Sequence, residues 1–72
     1  SPFFSKFKTD ISVLTKAVEG TVYLDEDHPK LYDRVLKFYK SRGVYFYDDF
    51  EKDYNILLDS LEYDLMDAGV LV

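Results

Sequence analysis

The chain has no cysteine and no tryptophan, a single histidine, two prolines and three glycines in 72 residues. Without cysteine, disulfides and thiolate metal sites are excluded, which agrees with a reducing compartment. With His28 as the sole imidazole, nucleophilic catalysis is short of a base. Ser5, Ser12, Ser41 and Ser60 lie in helix or cap contexts, with no strand–turn–helix elbow and no glycine-rich loop to cradle a phosphate or form an oxyanion hole. No apolar run is long enough to span a bilayer, and no basic start, apolar middle and small-residue cleavage site forms a signal peptide. Basic residues are few and scattered: the formal net charge is −5 and the pI is near 4.6, a balance that argues against nucleic acid, whose phosphates need Lys and Arg. No repeat, low-complexity segment or linker is present. These absences predict a soluble cytoplasmic or nuclear protein, not an enzyme, with no cofactor and with protein surfaces as partners.

What is present is apolar and aromatic. Apolar residues make up 47% of the chain, with seven Tyr and six Phe, far too much for a disordered tail. A domain this small buries about 60% of its unfolded surface, so an unstapled core is marginal by itself and another chain is the natural source of added stability. Ser1-Pro2 followed by Phe3, Phe4 and Phe7 predicts a short helix; Ile11, Leu14 and Val18 predict a second, stopped at Gly20. Thr21-Val22-Tyr23-Leu24 is β-branched and aromatic and reads as a short strand. From Lys30, the residues Leu31, Tyr32, Val35, Leu36 and Tyr39 form a helical stripe ending at Gly43, with Lys37, Lys40 and Arg42 complementing the dipole. Val44-Tyr45-Phe46-Tyr47 reads as a second short strand or a buried extended connection. A last helix from Asp53 or Asn55 carries Ile56, Leu57, Leu58, Leu61, Leu65 and Met66 and stops at Gly69, and the apolar tail Val70-Leu71-Val72 either continues or packs down.

Two clusters draw attention. Asp25, Glu26, Asp27 and His28 are metal-ligating types, but consecutive residues point in different directions and no D-x-D-x-D-G loop with a distant glutamate follows. They read as a solvated turn that caps a helix, with Asp27 or His28 as cap and Pro29 at the first helical position. The run from Tyr45 to Tyr54, with Phe46, Tyr47 and Phe50, is flanked by acids, which disfavours a base-stacking platform. Its rings are open to two readings, core packing or partner contact. The candidate protein interface is therefore Asp25, Glu26, Asp27, Tyr45, Phe46, Tyr47, Phe50 and Tyr54, with no catalytic or metal-binding residue assigned.

The order of these motifs resembles the BTB/POZ fold, in its potassium-channel tetramerisation-domain branch. Asp25-Glu26-Asp27 with Leu31-Tyr32 is similar to that branch's aspartate-rich turn; Leu36, Phe38, Lys40, Ser41 and Gly43 are similar to the segment that follows; Leu57, Leu58, Glu62 and Tyr63 are similar to its later helix, and Ser1-Pro2-Phe3-Phe4 with Phe7 to an earlier one. The chain departs from the pattern at Glu26, where the branch has arginine, at Arg42, where glycine is usual, and at Ser60-Leu61, where a glutamate–alanine pair is usual. The initial β-hairpin with its Asn-Val-Gly-Gly segment has no counterpart, and a sheet without it would expose an edge. The resemblance implies an α+β fold: residues 1–72 as one helix-rich BTB/POZ-like domain with short strands, lacking its first hairpin. It also implies self-association, and for many members an adaptor role that docks a cullin ubiquitin-ligase scaffold; other members set potassium-channel assembly.

A second reading comes from the leucine-rich last helix running into Asp67-Ala68-Gly69-Val70-Leu71, which is similar to the end of a winged helix. Asp59, Glu62, Asp64 and Asp67 on that helix would repel phosphate. Only an acidic winged helix in a transcription or DNA-associated complex, used for protein contacts, survives.

Overall fold

The computed structural model describes residues 2–71, and among them every regular element is a helix. α1 is Pro2–Phe7, α2 Ile11–Glu19, α3 Leu24–Asp27, α4 Pro29–Ser41 and α5 Phe50–Asp67, with a 3-10 turn, Lys8–Asp10, between α1 and α2. Ser1, the expected cap of α1, and Val72 lie outside the described residues.

The expectation of an α+β fold with short strands is therefore corrected: no strand and no sheet occurs among the described residues, and the domain is helical. The reason is local at both predicted strands. The Tyr23 carbonyl accepts the N–H groups of Glu26 at 3.1 Å and Asp27 at 2.8 Å, so the β-branched run ends by entering the single turn of α3 rather than by pairing. At the second, the Val44 N–H is taken by the Tyr39 carbonyl (3.0 Å) and the Tyr47 N–H by Asp53 Oδ1 (2.7 Å). Backbone donors satisfied within helix ends leave no ladder to form. Val44–Tyr47 is an irregular connection, neither a strand nor the buried extended connection of the other reading, because Tyr45 and Tyr47 are exposed while Val44 and Phe46 are half-buried.

Helix ends follow the sequence closely. Gly43 adopts φ 92°, donates to the Lys40 carbonyl at 3.1 Å, and lets Val44 donate back to Tyr39. This paired closure needs a left-handed residue, which glycine supplies without a Cβ penalty. Gly20, with φ 88°, ends α2 in the same way. Pro29 opens α4 as expected, but neither Asp27 nor His28 caps it through a side chain: His28 occupies the cap position without a side-chain bond, and the Asp27 carboxylate turns back to the Tyr23 N–H at 3.3 Å. α5 starts at Phe50, one turn before the expected Asp53 or Asn55, because Asp49 serves as its cap and accepts the Lys52 N–H at 3.4 Å.

α2 packs on α5, α4 on α5, and α3 on α4. The core gathers Phe3 and Phe7 of α1, Leu14 and Ala17 of α2, Leu24 of α3, Leu31, Val35, Phe38 and Tyr39 of α4, and Leu57, Leu61 and Leu65 of α5. The last three fall four residues apart, so one stripe of α5 is buried along its length. Each such fully buried side chain contributes roughly 1.5–3 kcal/mol. Phe7 meets Phe3 at 5.4 Å and Phe38 edge-on at 5.3 Å. Lys6 and Arg42 lie over the Phe38 ring at 5.6 and 5.4 Å, and Arg34 over Phe7 at 5.4 Å, so cations of the chain itself close the outer side of this aromatic core. Arg34 also approaches Asp10 at 3.4 Å, a contact of charges without hydrogen-bond geometry, since that buried carboxylate oxygen accepts no hydrogen bond. Val70 and Leu71 fold back onto the core, so the described part of the tail packs down.

Candidate protein-docking site

The early start of α5 creates the site. With Phe50 in the first turn, Phe50 and Tyr54 stand four residues apart on one side of the helix. Their rings stack, with centroids 5.7 Å apart, and Tyr32 of α4 closes the cluster at 5.8 Å from Tyr54 and 6.2 Å from Phe50. The Tyr54 hydroxyl accepts the Leu24 N–H at 3.1 Å, the one described hydrogen bond that ties α3 to α5. α3 is thereby held beside the first turns of α5, and a cleft of about 360 Å³ opens between them, lined by Tyr23, Asp25, Glu26, Phe50, Glu51, Tyr54 and Asn55.

The electrostatics of this cleft have one sign. Asp25, Glu26 and Glu51 line it and no cation does. Burial pushes the Tyr54 phenol up; the Leu24 N–H opposes this, and the charges of Asp25 and Asp27 add to it. The Tyr32 phenol is likewise raised, first by burial and then by Asp53 and Asp25. Both phenols are neutral at ordinary pH, Tyr54 as a wall of the cleft and Tyr32 packed behind it.

Of the eight residues expected at an interface, four come together here: Asp25, Glu26, Phe50 and Tyr54. Asp27 is at the far end of α3, its carboxylate engaged by the Tyr23 backbone. Phe46 turns inward against the core. Tyr45 and Tyr47 are exposed and pack edge to face at 4.9 Å on the connection ahead of α5, with the Lys52 ammonium 5.6 Å from the Tyr47 ring. They end in Asp48, which holds the left-handed conformation at φ 60°. Tyr23 is the residue that the strand reading hid: 58% exposed, it forms one side of the cleft.

A second groove, about 380 Å³, runs between the end of α4 and the middle of α5, lined by Tyr39, Arg42, Val44, Asp59, Ser60, Tyr63 and Asp64. Its floor is a polar network. The Tyr39 hydroxyl donates to Asp64 Oδ2, and Arg42 approaches the same oxygen at 3.5 Å. Burial, then the hydrogen bond to Asp64 and its charge, drive the Tyr39 phenol far above the usual tyrosine range, against the opposing Arg42. Sequence reasoning missed this network, although a carboxylate seven residues after Leu57 and directly before Leu65, on the buried stripe of α5, signals a buried polar partner.

No group of three or more His, Cys, Asp or Glu side chains among the described residues is placed to hold a metal ion, and no described helix is long and apolar enough to cross a membrane. No protein-family profile, curated protein or solved structure matches the chain.

Proposed function

We propose that this chain is a non-enzymatic protein–protein interaction and self-association module of the cytoplasm or nucleus. The observation that supports it is the gathering of exposed rings around the start of α5: Tyr23, Tyr45, Tyr47 and Phe50 are each more than half exposed. Aromatic side chains held on a rigid scaffold are the residues enriched in protein interfaces, and a 72-residue chain without disulfides gains stability from covering them. The hydroxyls of Thr15, Thr21 and Ser41 donate to preceding backbone carbonyls, which leaves them poorly placed as nucleophiles. The finer role of an adaptor docking a cullin scaffold, or of a channel-assembly domain, rests on the BTB/POZ resemblance alone. Nothing favours the winged-helix alternative, which needs a β wing that the described residues lack.

Light scattering on the purified chain over a hundredfold concentration range tests the proposal. A defined oligomer that Tyr45→Ser with Tyr47→Ser weakens is the expected result. A monomer at every concentration, with no protein recovered on cross-linking in its native cell, overturns it.

A further inference from the structure

Resting on that reading, we infer that the cleft between α3 and the start of α5 receives a cationic side chain, arginine or lysine, from a basic segment of a partner protein. Three observations converge. The walls are aromatic: Tyr23, Phe50 and Tyr54, with Phe50 53% exposed and Tyr54 fixed in place by the Leu24 N–H. The rim is anionic, with Asp25, Glu26 and Glu51 and no lining cation. Ring faces attract cations through their quadrupole, and neighbouring carboxylates add a charge the cation can pair with.

The third observation is internal to the molecule. Cations of the same chain lie over several of its other rings: Lys6 and Arg42 over Phe38, Arg34 over Phe7, and Lys52 over Tyr47. Among the described residues no cation lies over Tyr23, Phe50 or Tyr54, although Asp25, Glu26 and Glu51 line the same cleft. The chain thus leaves this acidic aromatic cleft without a cation of its own. At about 360 Å³ the space is at the small end of ligand sites and suits one long side chain rather than a folded element.

A second copy is the weaker occupant. On α4, Arg34 is set against Asp10 at 3.4 Å and Lys37 is paired with Asp33 at 2.9 Å, which leaves Lys30 and Lys40 as the cations that helix of a second copy could offer. A foreign basic segment can present several cations in a row to a rim of one sign.

The test is titration of the full chain with a peptide of alternating arginine and glycine, read by calorimetry and by amide chemical shifts, with the glutamine counterpart as control. The arginine peptide binds, more weakly at higher salt, and shifts the amides of Tyr23 to Glu26 and Phe50 to Asn55. Phe50→Ala weakens it about two- to fivefold. Glu26→Gln with Glu51→Gln weakens it about two- to thirtyfold. Met66→Ala, exposed and outside the cleft, leaves it unchanged, and circular dichroism confirms that each variant is folded. Equal affinity for the glutamine peptide, or arginine binding that ignores all cleft substitutions, overturns the inference. If the chain still forms its oligomer in that case, the cleft assignment alone has failed and the interaction-module reading stands. If instead the cleft substitutions abolish the oligomer, the occupant is a second copy and the assignment to a foreign basic segment is overturned.

Discussion

Two groups of aromatic rings, built from the same residue types, sit at different places on this fold. Around α1 and the C-terminal half of α4, Phe3, Phe7, Phe38 and Tyr39 are buried, and cations of the chain itself lie across their outer side. Around the start of α5, Tyr23, Tyr45, Tyr47 and Phe50 are more than half exposed; Asp25, Glu26 and Glu51 line the cleft beside Tyr23 and Phe50, and Lys52 lies by Tyr47. The first group contributes stability by leaving water; the second, still largely hydrated, contributes little of that kind and is available to another molecule. What separates them is the degree of burial.

The comparison breaks most sharply under paired truncations. Phe7→Ala removes a ring with no solvent exposure and is expected to cost about 3–5 kcal/mol, whereas Phe50→Ala at 53% exposure is expected to cost less than about 1 kcal/mol. Thermal or urea unfolding of the two variants decides it, and equal losses would mean that the α5 cluster is part of the core after all.

The polar network under the first group gives the next effect. Tyr39→Phe leaves the buried Asp64 carboxylate with Arg42 as its remaining partner, and Asp64→Ala leaves the hydroxyl of the buried Tyr39 without its acceptor; each is expected to cost about 1–3 kcal/mol. The same phenol sets a pH dependence. Its folded pKa is raised above the ordinary tyrosine value of about 10, so its contribution is complete below that value and declines as pH rises past it, because the unfolded chain loses the proton first. Chemical unfolding between neutral and alkaline pH is expected to show a smaller alkaline loss in Tyr39→Phe than in the parent chain. Tyr32 and Tyr54, shifted in the same direction, leave part of the slope in place.

In the second group, Tyr54→Phe keeps the ring and removes the acceptor of the Leu24 N–H, and is expected to cost about 1 kcal/mol. The smallest effect is expected for the cap: Asp49→Ala lengthens the fraying end of α5 and costs about 0.5–1 kcal/mol, given its long 3.4 Å bond. Helix content followed by circular dichroism checks this, and a loss confined to the first turn would also displace Phe50.

The helical parts of this fold were legible because they depend on short-range rules. Gly20 and Gly43 end helices where the spacing of apolar residues stops, Pro29 opens α4, and the stripe Leu57, Leu61, Leu65 is buried as its period requires. Both predicted strands failed for one reason. Propensity in a four-residue run describes a surface that suits a sheet, and at Thr21–Leu24 and Val44–Tyr47 the backbone donors found helix ends and a side-chain carboxylate instead. The site was half legible. Asp25, Glu26, Phe50 and Tyr54 stood out by composition, but their meeting depends on Asp49 starting α5 a turn early and on a bond between residues thirty positions apart. Neither leaves a periodic trace in the sequence.

That bond between Tyr54 and Leu24 has a practical consequence. Leu24 is fully buried, and its amide is shielded by a single phenol that forms a wall of the cleft. Its deuterium uptake therefore reports the opening of α3 away from α5 at one backbone position. An occupant that seats against Tyr54 slows that exchange, and one that pries the two helices apart hastens it, so this one amide tells a clamp from a wedge.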